Sequence, residues 1–150
     1  MSGRPRRRPR RLAGPLAAAA LLCAALTAPA AAAPGAGADA EPECRLRPGE
    51  PHVDWTGMSF TGDLWCELTP GSVRIQSRST SPVIGTMRFS PHWFVCWKEG
   101  SDYLGSNIWY YTQGDQVVTS PKVKAWGYLP ADMVEAPQHP FPGLTKCSWS

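Results

Sequence analysis

Short β-prone runs broken by glycine and proline fill the middle of this chain, and no stretch of it shows sustained helical periodicity. Val73-Arg74-Ile75 alternates apolar with polar residues. Trp93-Phe94-Val95-Cys96-Trp97 is a dense β-prone run, and Ile108-Trp109-Tyr110-Tyr111-Thr112 is another, ended by the turn pair Gly114-Asp115. Val117-Val118 extends a hairpin, and Val123 to Leu129 forms a last strand. The breaks recur about every 8 to 14 residues, and short strands at that spacing indicate a small all-β barrel or sandwich. Side chains repeat every second residue along a strand, so Trp93, Val95 and Trp97 should share one face, with Phe94 and Cys96 on the other.

The chain ahead of this region reads differently. Met1 to Arg11 is basic, Leu12 to Leu26 is almost wholly apolar and alanine-rich, and small residues run from Thr27 to Ala40. A basic head, an apolar middle and a small-residue tail is the layout of a bacterial secretory signal peptide. The apolar run falls short of the roughly 20 residues that a membrane-spanning helix needs. Small residues one and three positions before a cut occur at Ala28-Pro29-Ala30 and at Ala36-Gly37-Ala38. Cleavage after Ala38 is favoured, which makes 1–38 the signal peptide and Asp39 the new terminus. Arg10-Arg11 also suits a twin-arginine route. Cys23 follows Leu22, where a lipidation site needs a small residue.

Removing this leader changes both charge and cysteine arithmetic. The whole chain carries +3, but all twelve acidic residues lie at or beyond Asp39, against nine of the fifteen basic ones, so the mature domain carries −3. No clustered basic surface of the kind that displaces counterions from phosphates is visible, so nucleic acid is not an expected partner. Five cysteines become four: Cys44, Cys66, Cys96 and Cys147. An even set in a small exported domain points to two disulfides, with three pairings open. Metal ligation is the weaker reading, since no CxxC occurs and His52, His92 and His139 are scattered. No metal and no cofactor is expected. Segment 39–71 reads as an irregular polar extension holding Cys44 and Cys66, and 136–150, with Pro137, Pro140 and Pro142, reads as an extended strap fastened by Cys147.

Catalytic patterns are missing. There is no Gly-x-Ser-x-Gly elbow, phosphate-cradling glycine loop or His-Glu-x-x-His motif. A cysteine peptidase would need a free thiol with a histidine such as His139, and the cysteines are better spent in disulfides. Glu99 and Asp102 form an acidic pair close in sequence and read as loop polarity rather than a glycosidase dyad. The unusual feature is aromatic: seven tryptophans, all after the leader. Exposed aromatic faces stack on sugar rings and on extended peptides. Trp97, Tyr103, Trp109 and Trp126 are the candidate binding residues, around the loops and strand ends from Lys98 to Asn107. The competing reading packs the extra tryptophans beneath the two extensions.

Three segments in order resemble the bacterial SH3-like domain in its secreted actinobacterial form. They are SVRIQSRSTSPVIGTM (Ser72 to Met87), SDYLGSNIWYY (Ser101 to Tyr111) and AWGYLPADMV (Ala125 to Val134). The first resembles a strand, a turn and a short strand ending in glycine-threonine. The second resembles a glycine-asparagine approach to a tryptophan strand, and the third a closing strand followed by a one-turn helix. Gln76, Arg78, Ser79 and Pro91 depart from the family pattern. The resemblance implies a five-stranded barrel over 72–135, with glycine where strands bend sharply, at Gly85 and Gly127. Its core would be Val73, Ile75, Val83, Ile84, Val95, Ile108, Tyr110, Val123 and Leu129. Because the two ends of such a barrel lie close together, it also implies the pairings Cys66–Cys96 and Cys44–Cys147. Functionally it implies a secreted, monomeric, non-enzymatic module that contacts cell-wall glycan or peptide, or an envelope protein. The alternative is a secreted protease inhibitor or other protein-interaction factor.

Overall fold

The computed structural model describes residues 44–149. The leader read at 1–38 and its cleavage point lie outside the described residues. Nine strands follow one another: β1 (Cys44–Val53), β2 (Ser59–Cys66), β3 (Gly71–Arg74), β4 (Val83–Met87), β5 (His92–Phe94), β6 (Cys96–Tyr103), β7 (Ser106–Gln113), β8 (Gln116–Val117) and β9 (Trp126–Pro130). Single 3-10 turns occupy Pro121–Val123 and Ala131–Met133. The all-β expectation holds, but the architecture is not one closed five-stranded barrel. The strands form two antiparallel sheets, β1-β2-β5 and β6-β7-β9-β3-β4-β8. The outer strands of the larger sheet, β6 and β8, do not pair with each other, so it stays open.

The segment expected to be irregular is in fact the longest hairpin. β1 carries Pro48 and Pro51, which a strand tolerates where its N–H groups face no partner, and β1 is an edge paired only to β2. The register slips between Pro48 and His52. Arg47 faces Asp63 across the pair, so the charges that made the segment look like loop satisfy each other within it. Asp54 to Met58 closes the hairpin through Gly57, whose φ of 90° lies in the left-handed region that glycine adopts freely and whose N–H donates to the Asp54 carbonyl.

This hairpin also corrects the cystines. Its register sets Cys44 opposite Cys66 with Cα atoms 4.3 Å apart, and the two are bonded. Cys96 opens β6, and the stretch around Lys146 runs parallel beside Trp97, which brings Cys147 to Cys96 at a Cα separation of 5.1 Å. The expected Cys66–Cys96 and Cys44–Cys147 pairings are therefore replaced by Cys44–Cys66 and Cys96–Cys147. Pairing within the hairpin was hidden by reading 39–71 as irregular.

Alternation along β6, β7 and β9 assigns the larger sheet two packed faces. Ile108, Tyr110 and Leu129 point into a core shared with Val73, Ile84 and Met87, and with Leu64, Cys66 and Phe94 of the smaller sheet. Trp109, Tyr111, Trp126 and Tyr128 point the other way, into a second, aromatic cluster with Val95, Cys96 and Cys147. Of the core residues read from sequence, Ile75 is exposed and Val83 only half-buried. β3 ends at Arg74, so the alternation does not carry Ile75 inward. Nor is 93–97 one strand: the chain leaves the smaller sheet after Phe94 and joins the larger at Cys96. Val95 and Cys96 consequently lie in the same cluster, and Trp97 packs against the opposite core from Trp93. The last strand starts at Trp126, with Val123 buried in the preceding 3-10 turn. Close approach fixes two glycines: a Cβ on Gly85 would stand 2.6 Å from Ala125 Cβ, and one on Gly127 would strike the Arg74 carbonyl.

Segment 136–149 crosses the surface without regular strand and is held by side-chain and backbone hydrogen bonds as well as by the Cys96–Cys147 bond. Tyr110 Oη meets His139 Nδ1 at 2.9 Å, the Phe141 N–H donates to that same oxygen, and Trp97 Nε1 donates to the Leu144 carbonyl at 2.9 Å. Burial holds the His139 imidazole below its ordinary pKa and lifts the Tyr110 hydroxyl to about 12. Among the described residues no helix is long and apolar enough to cross a membrane.

Candidate functional site

The structure does not gather the four aromatic residues singled out from sequence. Trp109 is fully buried, its Nε1–H donating to the Ser101 carbonyl at 2.9 Å. Tyr103 packs edge-on against it, with ring centroids 6.0 Å apart. Trp97 lies on the opposite face of β6, under the strap and the Lys146 ammonium. Trp126 alone borders an open groove.

That groove, about 500 Å³ in volume, is built by three parts of the chain. Its floor is the edge of the aromatic cluster on β7 and β9, where the buried Tyr111, Trp126 and Tyr128 line it. One wall is the β1–β2 turn with Asp54, Trp55, Thr56 and Met58. The other is the loop after β3 with Ile75, Gln76, Ser77 and Arg78, together with Lys98 from β6. Trp149 reaches in from the strap, its Nε1–H donating to Tyr128 Oη at 2.6 Å, and its ring centroid lies 5.1 Å from that of Tyr111. Tyr111 meets Trp126 at 5.4 Å and Tyr128 at 5.0 Å, tilted by 38° and 46°, so the floor is a packed cluster of largely buried rings. Trp55 stands at the rim, 47 % exposed.

Asp54 holds the turn wall to the floor. Its Oδ1 accepts from the Thr56 N–H (2.8 Å), the Thr56 hydroxyl (2.6 Å) and the Met58 N–H (3.0 Å), while Oδ2 accepts from Tyr111 Oη at 3.1 Å. Burial pushes this carboxyl up, but the donors together outweigh it and hold the group below the usual carboxylate range. Burial first, then the Asp54 charge, pushes the Tyr111 hydroxyl far up, so it stays a neutral donor. Tyr128 is raised by burial as well. Both oxygens of Asp54 are thus committed within the fold.

A neighbouring groove of about 630 Å³ shares Met58 and Trp149 with the first and runs between β1, β2 and residues 143–149. Its chemistry is structural. Asp63, with no side-chain exposure, takes Arg47 Nε at 2.8 Å, Arg47 Nη2 at 2.6 Å and His52 Nε2 at 2.7 Å. The hydrogen bond to Asp63 raises the Arg47 pKa, and its guanidinium lies 4.1 Å over the Trp65 ring. Glu99 pairs with Lys146 at 3.1 Å, and Asp102 caps the Gly105 N–H. The four described cysteines are bonded. Among the described residues no group of histidine, cysteine, aspartate and glutamate could hold a metal ion.

Sequence reasoning missed Trp55, Tyr111, Tyr128 and Trp149. The available signal was Asp54-Trp55-Thr56-Gly57, in which aspartate opens a turn and glycine closes it, a pattern that displays the intervening tryptophan. No family model, curated protein or solved structure matches this chain.

Proposed function

We propose that this chain is an exported, non-enzymatic binding module that attaches to cell-wall glycan through the groove between the β1–β2 turn and the loop after β3. The carrying observation is the aromatic lining of that groove, in which Trp55, 47 % exposed, and Trp149 stand with the largely buried rings of Tyr111, Trp126 and Tyr128. Ring faces offer large apolar area that loses little conformational entropy on binding, which suits the faces of sugar rings. The floor strands also favour a glycan over an extended peptide. β7 lies between β6 and β9, and β9 between β7 and β3, so a peptide finds no free backbone there to pair with as an added strand. The committed oxygens of Asp54 support binding over hydrolysis, since a general acid or base needs a carboxyl able to exchange its proton. Two cystines and the leader-like head support export. The SH3-like likeness draws support from the 3-10 turn Ala131–Met133, which follows β9 where that family's closing strand leads into one.

The test is co-sedimentation with insoluble peptidoglycan. The secreted protein should pellet with the polymer, and Trp55→Ala, a rim change outside the core, should weaken retention about tenfold. Full recovery of the unaltered protein in the supernatant would refute the reading.

A further inference from the structure

The geometry points to a carboxylate-bearing saccharide as the ligand of this groove, with Lys98 and Arg78 reading its charge. This rests on the glycan reading above and narrows it to a chemical class. The charged groups lining the groove are Asp54, Arg78 and Lys98. Asp54 is consumed by four donors. Arg78 and Lys98 face no carboxylate within ion-pair distance among the described residues, whereas Arg47 is held by Asp63 and Lys146 by Glu99. Residues 44–149 carry nine basic and nine acidic side chains, so the positive character is local to this groove rather than a property of the domain.

The fold brings both residues to the groove. Lys98 stands opposite Trp109 in the β6–β7 register, on the same side of β6 as Cys96 and the ring floor. Its Nζ lies 5.6 Å from the centroid of Tyr128. Arg78 sits in a loop pinned by its own backbone: its N–H donates to the Gln76 carbonyl at 2.7 Å, and its carbonyl accepts from the Ser81 N–H at 3.1 Å. The next residue is tied across to β6, its N–H donating to Ser101 Oγ at 2.9 Å. A sugar ring seated against Trp55 in this groove would therefore meet Lys98 and Arg78, neither of which is paired to an internal anion among the described residues. A carboxylate fits them with charge-assisted hydrogen bonds, and a neutral sugar leaves both without a partner.

Titration calorimetry with three soluble probes tests this: a peptide-stripped glycan containing muramic acid, an oligogalacturonate, and a neutral N-acetylglucosamine tetramer. The acidic glycans should bind at least tenfold more tightly than the neutral one. The two acidic probes separate an ether-linked lactyl carboxylate from one borne on the ring. Lys98→Gln and Arg78→Gln should each lower acidic-glycan affinity about tenfold and neutral affinity by much less, while Lys122→Gln, which does not line the groove, should change neither. Equal affinity for neutral and acidic probes, or an equal loss in Lys122→Gln, overturns the charge reading and leaves the glycan reading standing. Binding of a glycan-free acidic peptide with no response to any saccharide overturns both.

Discussion

Replacing Asp63 by asparagine should produce one of the larger single-residue losses of stability in this domain. The carboxylate has no side-chain exposure and receives three donors, two from Arg47 and one from His52, at 2.6 to 2.8 Å. Asparagine offers a single acceptor oxygen and puts an NH2 group where an oxygen stood, so at least one donor meets another donor. Removing one partner from a buried ion pair costs about 3–5 kcal/mol. Arg47 keeps 25 % side-chain exposure and can rehydrate in part, which places the expected loss near the lower bound, about 3 kcal/mol. With a urea dependence of about 2 kcal/mol per molar, that lowers the unfolding midpoint by about 1.5 M. Because the pair is buried, the loss should persist in 1 M NaCl, where exposed pairs are screened. The double variant Arg47→Met, Asp63→Leu should recover much of it, since the uncompensated charge is then gone. A loss under 0.5 kcal/mol for Asp63→Asn, roughly what a surface change produces, would refute the assignment of Asp63 as a buried hub.

Further outcomes concern the cystines and the buried histidines. Replacing Cys96 and Cys147 together by alanine should cost about 4 kcal/mol and replacing Cys44 and Cys66 about 3, because the loops closed span 51 and 22 residues and the unfolded chain gains more freedom from the longer. Peptide mapping of the secreted, unreduced protein should recover those two pairs, and a Cys66–Cys96 linkage would contradict the hairpin register. Stability should also fall as pH drops below 6.5. Burial, aided by the charge of His52, holds His92 below its unfolded value against the pull of Asp115 at 3.8 Å, and His139 is shifted the same way. In that window the unfolded chain binds more protons than the folded one, so stability is full above pH 6.5 and declines beneath it. The Asp54 contribution is present above pH 3.8 and is lost only as pH falls further. Urea midpoints from pH 7.5 to 5.5 check this, with His92→Gln flattening the slope; a midpoint that rises on acidification would contradict it.

The all-β class was legible because glycine and proline break the sequence too often for helices, and Val73, Ile84, Ile108, Tyr110 and Leu129 were legible as core because their strands have one packed apolar side. What escaped was anything decided by pairing. Arg47 and Asp63 look like solvated charges until the β1–β2 register sets them opposite each other. Ile75 alternates correctly with Val73 but lies one residue past the end of β3, and so borders the groove. The cystines followed the same hidden register. Of the groove, only Trp126 was read, since Trp55, Tyr111, Tyr128 and Trp149 come from one turn, two strands and the strap, and no local pattern links them.

The break at Val95 explains how so small a domain accommodates its tryptophans. Had 93–97 been one strand, Trp93 and Trp97 would crowd a single face. Leaving one sheet after Phe94 and entering the other at Cys96 sends Trp97 to the strap side, where its indole N–H finds the Leu144 carbonyl, and keeps Trp93 with the aromatic cluster, 5.2 Å from Trp126. Trp109 is consumed in the fold by the Ser101 carbonyl, and Trp65 lies beneath the Arg47 guanidinium. Those assignments leave Trp55 exposed at the groove rim, with Trp149 and the largely buried Trp126 lining it. Trp149 owes its place to the Cys96–Cys147 cystine two residues earlier, so the bond that fastens the strap to β6 also completes the ring-lined wall. Packing and binding surface are therefore shares of one aromatic set, divided by where the chain changes sheets.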